Sequence, residues 1–149
     1  MNSPLLGTWV GLPWVASHPI VYPALEVLHI AGIALLLGSL ALLELRVWGL
    51  ASELPLRPLA RLALAVTLAG FGLIVCSGLL MFAAQPAELL ANRAFLVKLA
   101  LVLMAGLNAA WFHRRDSLAR CDGLARAQTV LSTGLWLGAI VSGRWIAYL

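Results

Sequence analysis

The stretch "YPALEVLHIAGIALLLGSLALLEL", Tyr22 to Leu45, decides the fold. A membrane-crossing helix needs about 20 predominantly apolar residues, and this segment supplies them without an internal break. Inside it stand a carboxylate and an imidazole, Glu26 and His29, three residues apart. Hydrocarbon tolerates such groups only where they pair with one another or line a site. The segment therefore predicts both a transmembrane helix and a polar position that needs partners from other helices.

Three more segments match it outward along the chain: Leu59 to Ala83, Ala94 to His113 and Ala125 to Tyr148. "ELPLRP", "AAQPAELLANR" and "RRDSLARCDG" separate the four. Pro19 and Pro23 suit the entry to the first helix, where a missing N–H costs little. Composition agrees. The 149 residues are 62% hydrophobic and 11% charged, against about 25% charged in soluble domains. The expected fold is all-α, a single integral-membrane domain over residues 1–149 forming an up-down-up-down four-helix bundle.

Basic residues give the orientation. Arg46, Arg57, Arg61, Arg114, Arg115, Arg120 and Arg126 belong to the first and third connections and their flanks. Arg93, Lys98 and Arg144 belong to the other side. The richer side faces the cytoplasm, so both termini are expected on the periplasmic side of a bacterial inner membrane. The net charge of +4 is explained by this asymmetry and does not call for nucleic acid. Trp9, Trp14, Tyr22, Trp145 and Tyr148 then form an outer aromatic belt, and Trp48 and Trp111 an inner one. Residues 1–19 are expected to form an uncharged surface flap. They have no basic n-region, and Pro4, Pro13 and Pro19 interrupt them, so they do not read as a cleavable signal peptide.

Small residues let membrane helices approach closely. Gly32, Gly38 and Ser39 do so on the first helix. Thr67, Gly70, Ser77 and Gly78 do so on the second, and Gly134, Gly138 and Ser142 on the fourth.

Depth sorts the ionisable groups. His29 is roughly 10 Å in from the outer end of its helix, with Glu26 one turn shallower. Lys98 and Arg144 are each roughly 6 Å in. Two cations, one anion and a histidine in one layer favour an anionic group in low dielectric. Haem b and quinone fit this description. His29 is the candidate axial ligand, and Gly32, one turn on, the place for a flat macrocycle. His18 on the flap is a candidate second ligand, as is His29 of a second copy. Lys98 and Arg144 are candidates to neutralise the anionic group, and Glu26 to orient it or relay protons. Copper is the alternative, with His29, Cys76 and Met81 in one layer supplying imidazole, thiolate and thioether. A cofactor-free accessory or assembly subunit is the third class. His113 reads as an interfacial anchor beside Arg114 and Arg115, and Cys121 as an incidental thiol. No phosphate-cradling glycine loop, His-Glu-x-x-His motif or nucleophile elbow occurs.

The segments "EVLHIAGIALLLGS", "FGLIVCSGLLMF", "NRAFLVKLALVLMAGLNAAWFHRR" and "LWLGAIVSGRWIAY" together resemble the small four-helix membrane proteins of the copper-resistance-D-like group. The resemblance spans roughly residues 20–148 and rests most on His29, Asn92-Arg93 before Lys98, Asn108 to His113, and Gly143-Arg144-Trp145. It implies a four-helix membrane fold and copper handling. Partners expected from the whole reading are the lipid bilayer and either a second copy of the chain or a larger membrane complex.

Overall fold

The computed structural model describes residues 12–148. Most of the expected flap, residues 1–11 with Trp9, lies outside them. Four long helices dominate: α2 (Val21–Val47), α3 (Leu56–Ala84), α5 (Arg93–Arg114) and α7 (Gly123–Trp145). Each is long and apolar enough to cross a membrane. Three short helices join or precede them: α1 (Pro13–Ser17), α4 (Pro86–Ala91) and α6 (Ser117–Arg120). The protein is thus an all-helical, multi-spanning bundle. The four expected segments correspond to the four long helices, with ends shifted by a few residues. Helix α3 begins earlier than expected, at Leu56, because Pro58 falls in its first turn, where a missing donor is harmless. Helix α7 stops earlier, at Trp145, and Ile146 to Tyr148 form a turn.

The helix starts are chemically explicit. Asn92 caps α5, its Oδ1 accepting from Ala94 N (2.9 Å) and Phe95 N (3.3 Å). Its Nδ2 donates to Ile146 O (3.1 Å), which ties the start of α5 to the end of α7. Asp122 caps α7 by accepting from Ala125 N (2.9 Å) and takes both guanidinium nitrogens of Arg115, at 3.1 and 2.6 Å. That pairing holds the Asp122 carboxyl well below the usual carboxylate range, with the backbone N–H of Ala125 adding to it.

Two antiparallel hairpins make up the bundle. In the first, α2 buries Leu25, His29, Gly32, Leu36 and Ser39, spaced alternately by four and three residues. Helix α3 answers with Ala60, Ala63, Gly70, Ser77 and Ala84, on the same 3-4 seam. This is the spacing of helices packed at a shallow angle. Gly32 and Gly70 form the close approach. A Cβ on Gly70 would stand 2.7 Å from Gly32 O and 2.8 Å from Leu36 N. One on Gly32 would stand 2.8 Å from Gly70 O. Below this contact, Ser39 and Thr67 share a hydrogen bond of 2.7 Å.

The second hairpin, α5 with α7, packs differently. Gly138 accommodates the Leu101 side chain, 3.3 Å from where its Cβ would be. Gly134 faces open space, so the expected Gly134–Gly138–Ser142 seam is not continuous. At the arginine-rich end, Asn108 Nδ2 donates to Gln128 O (3.0 Å) and Ser117 Oγ to Gln128 Oε1 (2.8 Å). Gly38 likewise faces outward. Spacing along a helix marks a face, but it does not say whether lipid or protein covers that face.

Side chains bridge the hairpins. Phe82 of α3 stacks on Phe95 of α5, with ring centroids 5.7 Å apart, and Phe71 meets Trp136 edge-on. Trp48 donates through Nε1 to Thr129 Oγ1 of α7 (2.9 Å). Trp14, Trp145, Tyr148, Trp48 and Trp111 are all exposed near the ends of the long helices, as expected of aromatic belts.

Candidate functional site: a histidine held between three helices

His29 is 9% exposed and sits where α2, α3 and α5 converge. Its Nδ1 is 2.9 Å from Ser77 Oγ of α3, and its Nε2 is 3.4 Å from Lys98 Nζ of α5. Local sequence explains the fit. Ser77 is on the buried seam of α3. Gly78 beside it leaves room for the ring, since a Cβ there would be 3.3 Å from His29 Cε1. Gly143 of α7 performs the same service for the Lys98 stem, which lies 3.6 Å from where its Cβ would be.

The network assigns the tautomer. Ser77 has one hydroxyl hydrogen, and it goes to Leu73 O at 2.6 Å. Ser77 Oγ must then accept, so the proton on the ring is at Nδ1. The lone pair is left on Nε2, facing the Lys98 ammonium. The result is a directed chain: Lys98 N–H to His29 Nε2, His29 Nδ1–H to Ser77 Oγ, and Ser77 O–H to the backbone of α3. No carboxylate completes it among the described residues.

The other expected site residues are elsewhere. Arg144 turns to Tyr148, donating to its hydroxyl (2.7 Å) with the guanidinium carbon 5.0 Å from the ring centroid. Glu26 is exposed on α2. Gly32 is closed by Gly70 and offers no room for a macrocycle. His18 lies between α1 and α2, its Nδ1 accepting from Ile20 N (3.3 Å) and Val21 N (3.4 Å). His113, at the opposite end, donates through Nδ1 to Ala109 O (2.8 Å). Of the expected layer, the structure brings together His29 and Lys98 and adds Ser77.

These residues do not fit a haem iron. The lone pair that would form the axial bond is directed at an ammonium, and the other nitrogen is committed to Ser77. They do not fit a copper ion either. Cys76 is exposed, one residue from Ser77 and so about 100° around the helix from it. Met81 packs with Val15, Leu25 and Ala84. No group of three metal-ligating His, Cys, Asp or Glu side chains occurs among the described residues.

Sequence reasoning gave no role to three polar residues, Glu44, Asn108 and Gln128. Glu44 of α2 takes a hydrogen bond from Thr133 Oγ1 of α7. Asn108 Oδ1 and Gln128 Nε2 are buried without a partner among the described residues. Glu44 precedes Arg46 near the end of its helix and so reads as interfacial. Only the stagger of α7 against α2 reveals its partner.

No family model matches the chain, and no curated protein or solved structure is significantly similar to it. What stands of the resemblance is its coarse part, an all-helical, multi-spanning membrane fold, with nothing that points to the copper-resistance-D-like group in particular.

Proposed function

We propose that this chain is an accessory or assembly subunit of a bacterial inner-membrane complex, without a resident haem or metal, and with both termini on the periplasmic side. The observation that carries the reading is the engagement of both His29 ring nitrogens, by Ser77 at 2.9 Å and Lys98 at 3.4 Å. An imidazole used in this way joins helices. Its polar groups satisfy one another across α2, α3 and α5, which in lipid fixes rotation and register where apolar contacts are indifferent. The orientation rests on the seven arginines at the end of the bundle formed by the α2–α3 and α5–α7 connections. The outward faces are lined with exposed apolar side chains such as Leu28, Leu62, Leu103 and Leu137, which lipid, a second copy or partner helices cover.

Mild purification from the native membrane tests this reading. The expected preparation is colourless, carries no stoichiometric copper and brings partner chains with it. A Soret band at one haem per chain that disappears in His29→Ala would overturn it, as would one copper per chain lost in the same variant. Quinone is the second reading. The Lys98 ammonium has three N–H donors, of which one faces His29, so the others suit a carbonyl oxygen. Organic extraction yielding one quinone per chain, and none from Lys98→Met, would favour it.

A further inference from the structure

Glu44 sits at one end of a cavity of about 200 Å³ between α2 and α7. Leu37, Leu40 and Leu137 give the cavity apolar walls, and Trp136 adds an indole. Thr133 donates to the Glu44 carboxylate at the polar end. Glu44 is the sole charged residue of the lining. It is three residues from the end of α2, but its partner Thr133 is ten residues into α7, about 15 Å along that helix. The carboxyl group therefore stands one turn, about 6 Å, further into the bundle than the Trp48–Thr129 bond of the inner aromatic belt.

A carboxylate at that depth is costly unless a cation meets it. The described residues supply none. Arg46, two residues on, is directed to Ser52 O (3.1 Å) and Leu54 O (2.9 Å) of the loop. The single ion pair among the described residues is Arg115–Asp122. The cavity thus combines one carboxyl group with no cation paired to it among the described residues, the indole of Trp136, a side chain whose ring attracts cations, and apolar walls that exclude well-hydrated inorganic ions. Small-molecule sites have this pattern, mostly apolar lining with few placed polar groups.

We propose that the Glu44–Trp136 cavity binds a small organic cation with an apolar body, of the quaternary ammonium or protonated amine class. Glu44 supplies the countercharge, Trp136 the aromatic face, and Leu37, Leu40 and Leu137 the apolar contacts. This site is separate from the His29 cluster and does not depend on the accessory-subunit reading.

Benzyltrimethylammonium is the probe, because its charge is fixed and its body is apolar. Neopentylbenzene, its neutral isostere, is the control. Binding is measured by equilibrium dialysis against the full chain in nanodiscs, with empty nanodiscs subtracted. The expected result is saturable binding of the cation at one per chain. Neopentylbenzene competes at least tenfold more weakly, and Glu44→Gln reduces cation affinity at least tenfold. Glu44→Gln keeps the shape and an acceptor for Thr133. Should it alter the helical circular dichroism spectrum, Ala41→Leu serves instead, since it fills the cavity from α2 and leaves the carboxylate in place; the same loss is expected. Equal affinity of the cation for wild type and Glu44→Gln overturns the proposal. So does equal competition by the neutral isostere, which would mark the cavity as a seat for lipid chains, and so does the absence of saturable binding.

Discussion

Substituting Gly70 by Ala tests the packing argument most directly. The new Cβ would lie 2.7 Å from Gly32 O, 2.8 Å from Leu36 N and 3.1 Å from Leu35 Cβ. Ordinary contact begins at 3.4 Å, so the closest approach falls short by about 0.7 Å. Two of the three atoms are backbone, which cannot swing away as a side chain can, so α2 and α3 must separate. Overpacking of this kind costs about 1–3 kcal/mol. The Ser39–Thr67 bond and the His29–Ser77 bond flank the contact on either side and would stretch with it. Alanine also favours a helix over glycine by about 1 kcal/mol, and a control must remove that contribution. Gly72 provides the control, being on the same helix with nothing within 4 Å of its Cβ position. The difference between Gly70→Ala and Gly72→Ala, read from unfolding in dodecyl sulfate mixed micelles, is expected to be about 1–3 kcal/mol. The double variant Gly32→Ala, Gly70→Ala should cost less than the two single costs added, because both act on one contact. Equal unfolding midpoints for Gly70→Ala and Gly72→Ala would refute the close approach.

Three other outcomes follow from single features. Ser77→Ala removes the acceptor for His29 Nδ1–H and should cost about 1 kcal/mol in the same assay; nitrogen-15 spectra of the wild type should show the pyrrole-type nitrogen at Nδ1, and a proton found on Nε2 instead would reverse the assigned chain. Asp122→Asn should be destabilised near neutral pH. The depressed Asp122 carboxyl stabilises the fold above the unfolded value of about 3.9, and that contribution is lost as pH falls through the lower, folded value. The gap between variant and wild type should thus close only in strong acid, and a gap already closed at pH 5 would contradict the Arg115 pairing. Cys121, in the connection between α5 and α7, should resist an impermeant maleimide added outside intact cells and react once the membrane is opened; reaction from outside would reverse the proposed orientation.

The sequence disclosed the fold because lipid imposes a simple condition. All backbone groups must be satisfied within each segment, so long apolar runs can only be helices. The α2–α3 seam was also readable. Gly32, Ser39, Thr67, Gly70 and Ser77 recur at 3-4 spacing, and all five meet across that interface. The site was readable only in part, since position along a helix gives depth but not azimuth. Lys98 and Arg144 share a depth, yet Lys98 points inward to His29 and Arg144 outward to Tyr148. Gly32 shares a face with His29, yet that face meets Gly70. Ser77 was visible as a small residue, but its role as the acceptor that fixes the His29 tautomer needs the register of two helices. Glu44 was hidden by stagger: its own helix ends three residues later, while the helix it contacts runs on for ten.

The two kinds of contact divide the molecule into parts that can be separated experimentally. Within each hairpin the helices are joined by a short connection and by small residues or backbone contacts. Between hairpins the links are side chains: Phe82 to Phe95 and Lys98 to His29 near the chain termini, Glu44 to Thr133 and Trp48 to Thr129 toward the arginine-rich end, with the Phe71–Trp136 pair between. Apolar side chains gain little from meeting one another in lipid, so the polar links should carry much of the specificity of this joint. A chain interrupted after Ala91, in the α4–α5 connection, tests the idea. Coexpressed fragments 1–91 and 92–149 each hold one hairpin and should purify together. Lys98→Met combined with Thr133→Val removes one polar link near each end of the joint without touching a seam glycine, and should reduce recovery of the partner fragment severalfold. Gly72→Ala should leave recovery unchanged. Undiminished recovery with these two polar links removed would show that the aromatic pairs and the remaining Trp48–Thr129 bond hold the hairpins together, and would take from His29 and Lys98 the joining role proposed for them.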